Sequence, residues 1–512
     1  MTPVATQKPA DLTRRREDLW LEEQHWGHRL WDQQSPWLVF LEFLSVAESA
    51  FRQGQLFNFE KSLYPSAYST YGRLHLRNIL FNNEQNLLRI DAENADSASA
   101  WRTWLEWIRD NAHGLGPHQR DFSYLRDRFD SFHDFAQLVR AVRSCVVEGD
   151  SNKRWSSRFV FPFGPAAIFE DLIVKQDVPT RDYINFGRSG ELLYHMVARS
   201  SLRARLAERF PARVFAANKW NELLKQLQPA TANTVGIDRG TDTFLPYDQH
   251  PIFETVAEDW LALLDLELPG FDVVPYLVTT GTFTLLLYQL QTSARLLGRD
   301  GRTAIICEVV APRKGLVREL SVEWFDANNT MSIEAIDGIM AQIEKRAEWN
   351  LAGQPQDILT RRQELLKREF SWEDEGGVND PEELWQRFKE EARARHRRHF
   401  GQVHRSFGRG IGLVSKRGTN RFRYAPTDAF LKCLVFANVS KRTEFNEFLG
   451  TLYGRYGLVF GEREAEVLLA SDDMDKKPFQ ANSLRLEHRL GSLGLLKRLS
   501  DACAYVENPY AK

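Results

Sequence analysis

Residues 392–427 read ARARHRRHFGQVHRSFGRGIGLVSKRGTNRFRYAPT, and the division of the chain turns on them. The stretch holds ten Lys or Arg: Arg393, Arg395, Arg397, Arg398, Arg405, Arg409, Lys416, Arg417, Arg421 and Arg423. His396, His399 and His404 add partial charge, and there is no Asp or Glu. The whole chain is nearly balanced, with 67 basic against 69 acidic side chains. The positive charge is therefore segregated in sequence, and a segregated basic segment is what a polyanion meets first. Upstream, opposite charges alternate at helical spacing. Downstream, apolar residues fall into short periodic blocks. The stretch is thus the expected join between an exposed helical region and a compact terminal module.

Its first part, Arg393 to Arg398, continues a charged helix that has Glu390 and Glu391 close by. The part from Gly401 to Arg423 is different. It mixes cations with Gly401, Gly408, Gly410, Gly412 and Gly418, and with the rings of Phe407 and Phe422; Tyr424 follows. A flexible basic loop studded with aromatics can follow a phosphate backbone and stack on bases. Its glycines could also present amide N–H groups to a phosphate. The run FGRGIG lacks the G-x-x-x-x-G-K-[ST] order of a P-loop. Arg409, Lys416, Arg417, Arg421 and Arg423 are the expected nucleic-acid contacts of this loop.

After Pro426 the pattern is compact. Helices are expected over Thr427–Ala437, over Thr443–Tyr456 with Gly457 as its stop, and over Glu462–Ala470. A fourth, capped by Asn482 or Ser483, should run to about Ser492. Two short apolar runs around Ser500-Asp501 then read as a hairpin. On the fourth helix Leu486, Leu490 and Leu493 share one face, while Arg485, Arg489 and Ser492 share another, with His488 beside them.

The order helix, turn, helix, two-stranded wing over about 425–512 resembles a winged-helix domain. The phrase LRLEHRLGSLGLLKRLSDACAYV is similar to the recognition-helix-plus-wing stretch of many bacterial winged-helix proteins, where L-x-x-L-G-L-L leads from helix to hairpin. The resemblance implies that the fourth helix enters the major groove and that Arg485, His488 and Arg489 touch DNA. Winged helices also serve as protein–protein modules, so the fold alone leaves the partner open.

A chain of 512 residues is too long for one core, and roughly two to four domains are expected. The expected class is mainly α and multidomain. Residues 1–235 form a helical, Trp-rich domain with Trp20, Trp26, Trp31 and Trp37 near its start. Within it, 166–175 reads as a helix and 159–163 as extended chain. The linker-like run PATANTVGIDRGTDTFLPYDQH over 229–250 closes it. Residues 236–345 read as a small α+β unit, with helices at 252–264 and 273–294 and a β-hairpin of Thr303–Val309 with Leu320–Phe325. Residues 346–400 read as a charged helical arm with pairs such as Glu383/Arg387 at i,i+4. Residues 401–512 are the basic loop and the winged-helix-like domain.

Function classes are narrowed by what is missing. The four cysteines, Cys145, Cys307, Cys433 and Cys503, form no C-x-x-C pair, so a zinc ribbon or dithiol motif is not written here. Neither H-E-x-x-H nor G-x-S-x-G occurs. Imidazoles set among ten cations are poor metal ligands, and no metal site or cofactor is expected. Val273–Ala294 lacks charge but carries Pro275, Gly281 and several Thr, which suits a buried helix better than a bilayer span. The expectation is a cytoplasmic protein with no membrane contact. Its function is read as a non-enzymatic DNA-binding or scaffold subunit of a bacterial multi-protein system. In general style the chain is similar to phage-defence and DNA-modification-island components, with partners from the same operon. Two alternatives stand beside it. One is a protein-interaction adaptor that uses the winged helix and the charged arm. The other is a metal-dependent nuclease centred on Glu308.

Overall fold

The computed structural model describes residues 19–27, 30–58, 74–81, 83–94, 96–147, 188–216, 218–230, 244–299, 303–310, 315–416, 421–469, 476–500 and 503–511, together with the backbone of short strands at 4–5, 70–71, 172–175, 178–181 and 234–235. The fold is mainly helical, with small sheets of two or three short strands. Helix α1 (Pro36–Arg52) begins where Ser35 Oγ accepts from Leu38 N at 3.3 Å and Pro36 occupies the first turn, which needs no N–H there. Helices α2 (Leu74–Leu80), α3 (Glu84–Glu93), α4 (Ser97–Asn111) and α5 (Phe132–Ser144) follow. Helix α6 (Ser189–Ala198) then crosses α1 so closely that a Cβ on Gly190 would lie 2.3 Å from Val39 O, which reserves that position for glycine. Next come α7 (Arg203–Phe210), α8 (Lys219–Gln226), α9 (Pro251–Leu264) and α10 (Gly270–Leu296).

Helix α10 is the axis of the larger core. Among the described residues it is the one helix long and apolar enough to cross a membrane, and 83% of its apolar window is buried inside the protein. Its apolarity therefore serves packing. Four of its hydroxyls are satisfied within the helix: Thr279, Thr280 and Thr284 each donate to the carbonyl one turn back at 2.9 Å, and Ser293 does so at 2.7 Å. Such back-bonds let polar side chains sit in an apolar interior without leaving donors unpaired.

Beyond α10 lie strand β1 (Ile305–Ile306), the long helix α11 (Leu316–Glu344), the pair α12 (Pro355–Phe370) and α13 (Pro381–Arg398), and the short helix α14 (Val403–Gly410). Strands β2 (Val414–Ser415) and β3 (Arg423–Tyr424) pair antiparallel. The C-terminal block holds α15 (Asp428–Asn438), β4 (Thr443–Glu444), α16 (Phe445–Tyr456), β5 (Leu458–Val459), α17 (Glu462–Leu469), α18 (Lys477–Ser492), β6 (Leu496–Ser500) and β7 (Cys503–Val506). Strands β4, β7 and β6 form a three-stranded antiparallel sheet in that order.

Several expectations need correction. Leu320–Phe325 is not a strand but part of α11, whose buried Val317, Ser321, Phe325, Asn328, Ser332 and Ala335 recur at helical spacing. A six-residue window was too short to tell period 2 from period 3.6. Thr303–Val309 is extended, yet β1 pairs parallel with β5, from a distant part of the chain, so no hairpin forms. Leu172–Lys175, expected in a helix, pairs antiparallel with Val178–Arg181. The extended run expected at 159–163 lies outside the described residues. Helices α12 and α13 are not a free arm: Leu359, Leu366, Phe370, Leu384, Trp385 and Phe388 are buried in the larger core. The expected segments also do not map one to one onto apolar cores. Buried residues between Leu19 and Phe57 and between Leu192 and Val214 share a core with 245–506, whereas α2–α5 and α8 enclose a second core around Trp101, Trp104 and Phe135.

Candidate nucleic-acid interface

The basic stretch is folded rather than loop-like over its described residues, and the fold sorts its cations. Helix α14 buries Val403, His404, Phe407 and Gly408 and leaves Arg405 and Arg409, at i,i+4, on its outer side. The hairpin that follows brings Lys416 and Phe422 to the same place. Phe422, half-buried, stacks on Phe325 of α11 with centroids 5.6 Å apart. Around its ring stand Lys416 Nζ at 4.8 Å, Arg405 Cζ at 5.5 Å and Arg409 Cζ at 5.9 Å. Any two of these centres are within about 11 Å, roughly one Debye length in ordinary salt. Each cation gains about 0.5–1 kcal/mol from an exposed ring, and mutual repulsion at this spacing takes back about 0.4 kcal/mol per pair in water. Among the described residues none of the three has a carboxylate in ion-pair range. Arg421 is also exposed here, paired with Asp326, which follows Phe325 on α11. Four cations and one acid thus surround one ring pair. Arg405 was absent from the candidate contacts read from sequence; its i,i+4 relation to Arg409 was the available signal.

Much of the rest of the stretch is neutralised from afar, although Arg397 and Arg398, at the end of α13, are exposed and have no ion pair among the described residues. Arg393 pairs with Asp337 at 2.6 Å, and Arg395 with Glu23 at 2.8 Å. His396 bonds Glu22 at 2.9 Å and Ser332 at 3.0 Å, and His399 bonds Asp32 at 2.9 Å while stacking on Trp31. His404 lies 2.6 Å from Tyr424 OH, which accepts from Asn328 Nδ2 at 2.9 Å. The phenol therefore donates to His404 Nε2, and the imidazole is neutral; burial pushes its pKa down to about 3. Arg423 is a correction. Its side chain is 3% exposed and ion-paired with Glu308, itself 2% exposed. It is a structural cation, closed to any polyanion. Arg417 lies outside the described residues.

The fourth helix of the C-terminal block, α18, is placed by its packing residues Phe479, Asn482, Leu486 and Leu490. Asn482, expected as a cap, sits inside the helix, because its amide holds three backbone groups: it accepts from Val309 N at 2.8 Å and donates to Cys307 O and Phe460 O. Arg485 donates to Val309 O at 3.3 Å, and Arg489 pairs with Asp428 at 2.5 Å. Both guanidinium groups thus lean onto the protein. The exposed positions of α18 are Lys477, Gln480, Ala481, Leu484, His488, Gly491 and Ser492, so its one exposed Lys or Arg stands at the helix's first residue.

Glu308, the candidate nuclease acid, is ion-paired with Arg423. Among the described residues no group of three or more His, Cys, Asp or Glu could hold a metal ion. Cys307 and Cys433 are buried thiols pushed up by burial, while Cys503 is exposed. Compared with models of known protein families, with curated proteins and with solved structures, the chain matches none.

Proposed function

We propose that this chain is a non-enzymatic nucleic-acid-binding subunit that grips the sugar-phosphate backbone through the Phe422 patch. The observation that carries this reading is the gathering of Arg405, Arg409 and Lys416, none with a carboxylate partner among the described residues, around one half-buried ring. Guanidinium and ammonium groups so placed suit successive phosphates, and a partly open ring suits a base from a single strand. The order α15, β4, α16, α18, β6, β7, with sheet order β4-β7-β6, supports the winged-helix reading of the C-terminal block. Contact through α18 is weakly supported, since Arg485 and Arg489 are engaged within the chain. The role within a bacterial multi-protein system, such as phage defence, stays part of this proposal.

The test is binding of single-stranded and duplex DNA over a salt series, with Arg405, Arg409 and Lys416 each changed to Gln. The three changes together should flatten the slope of log K against log salt by about 2–3, at roughly 0.7–0.9 per phosphate lost. An unchanged slope would sink the reading.

A second reading has its own observation. Beyond Lys477 the exposed residues of α18 include no Lys or Arg, and Leu484 is exposed to 44%, which favours a protein partner over DNA at that face. A Leu484→Glu variant that loses a co-purifying subunit yet keeps DNA affinity would separate the two roles.

A further inference from the structure

A cavity of about 640 Å³ opens between α9, α10, α16 and the extended segment at 303–304, well within the size range of small-molecule sites. Three charged side chains line it: Glu258, Arg455 and Arg295. Two of them cancel. Arg455 bonds Glu258 at 2.5 Å and the buried Asp259 at 2.5 Å. Arg295 is different. Its Nη1 lies 2.7 Å from Nε2 of His250, and among the described residues no carboxylate is in ion-pair range. His250 is 1% exposed, and burial pushes its pKa down to about 3, so it stays neutral. The guanidinium thus lies beside an uncharged imidazole, whose Nδ1 accepts from Ile252 N–H at 3.2 Å, and it keeps its charge. The C-terminal end of α10 offers it about half a unit of negative potential, which leaves the remainder open to a ligand.

Two further features face the same space. Thr303 lines the cavity, is 8% exposed, and among the described residues its hydroxyl has no hydrogen-bond partner. Buried hydroxyls normally find one, so a site that leaves one vacant is prepared for an incoming polar group. Trp324, Ile252 and Leu468 supply an apolar wall.

We propose that this cavity binds a small organic anion, with a carboxylate or phosphate ester on Arg295, a polar atom on the Thr303 hydroxyl and a flat apolar group against Trp324. Bidentate recognition of either anion is what a guanidinium does best.

The probes are benzoate and phenyl phosphate, with benzamide as the uncharged control, titrated calorimetrically into the full chain. At least one anion should bind at or below the millimolar range while benzamide does not, and the stronger of the two identifies the headgroup. Arg295→Gln keeps a polar group beside His250 but removes the charge, and should weaken binding at least about tenfold. Thr303→Val keeps the volume and removes the hydroxyl; it should weaken binding severalfold and serves as the test should Arg295→Gln not fold. Absence of binding by both anions overturns the proposal. Equal binding by wild type and the folded variants does so too. No nucleic acid enters this experiment, so its failure leaves the Phe422 interface standing.

Discussion

Replacing Arg423 by Met separates the two roles that a cation in the basic stretch can have. The pair Arg423–Glu308 is almost wholly out of water, at 3% and 2% side-chain exposure. Met keeps an unbranched chain in place and leaves Glu308 buried without a cation. Breaking such a pair from one side costs about 3–5 kcal/mol, a large share of the roughly 5–15 kcal/mol that holds a domain folded. The pair is itself imperfect, since Glu308 Oε1 and Arg423 Nη1 have no hydrogen-bond partner. Removing both charges, in Glu308→Leu with Arg423→Met, should therefore bring stability back to within about 1–2 kcal/mol of wild type. The assay is denaturant unfolding followed by far-ultraviolet circular dichroism on wild type, both single variants and the double. The buried apolar residues form three separate clusters, so the loss is read in the transition of the largest. DNA binding is measured on the same four proteins and should not change. Two results refute the reasoning: an Arg423→Met protein as stable as wild type, or one of unchanged stability that loses DNA affinity.

Other outcomes follow from the same geometry. Phe422→Leu preserves the cover over Phe325 but removes the ring, and should weaken single-stranded DNA binding by about 1–3 kcal/mol while touching duplex binding less; equal losses on both would argue against base stacking. Arg489→Ala breaks a largely surface pair with Asp428 and should cost no more than about 1 kcal/mol of stability, with DNA affinity unchanged; a loss of affinity would restore α18 as a DNA contact. His195, His250 and His404, each no more than 1% exposed, have their pKa values lowered by burial. Neutral in the fold and protonated in the unfolded chain below about pH 6.5, each removes about 1.4 kcal/mol per pH unit as pH falls. Asp259, pushed up to about 6 by burial against the pull of Arg455, acts in the opposite sense, its contribution growing as pH falls below 6. The net expectation is a loss of about 3 kcal/mol per pH unit below pH 6, read as a falling denaturation midpoint; a flat profile between pH 6.5 and 5 would contradict it.

Legibility followed the range of the interactions involved. Helices α9, α10, α12 and α13 were readable because apolar periodicity, proline at the start and charge pairing are local. So were the helices after Pro426 and the closing hairpin, but not strands β4 and β5 between them. Strand β1 was half-readable: Ile305 and Ile306 look like a strand, but their partner, Leu458–Val459, is announced by no nearby turn. Asn482 looked like a cap because caps and buried amides use the same side chain; only the folded positions of Val309, Cys307 and Phe460 distinguish them. Charge was the least readable property. The acids that cancel Arg393, Arg395, Arg421 and Arg423 are Asp337, Glu23, Asp326 and Glu308, and none lies in the stretch itself. A run of cations along a sequence is thus no measure of the charge that reaches the surface.

That cancellation bears on how the proposed interface must work. Four cations remain around Phe422 and Phe325, one of them already paired with Asp326. If all four meet phosphates of duplex DNA, affinity falls about 150-fold as salt rises fourfold, at a slope of roughly 0.9 per contact. Such a patch holds a strand in place but has no dedicated reader of base edges, because α18 turns both its arginines onto the protein. At cellular salt a patch of this size gives only weak, sequence-blind binding. The proposed reading is therefore consistent only if the chain works alongside another anchor on the same nucleic acid, and two such anchors joined together multiply affinity by raising effective concentration. The solvent face of α18 beyond Lys477, with Leu484 exposed, is where that second component has room to dock.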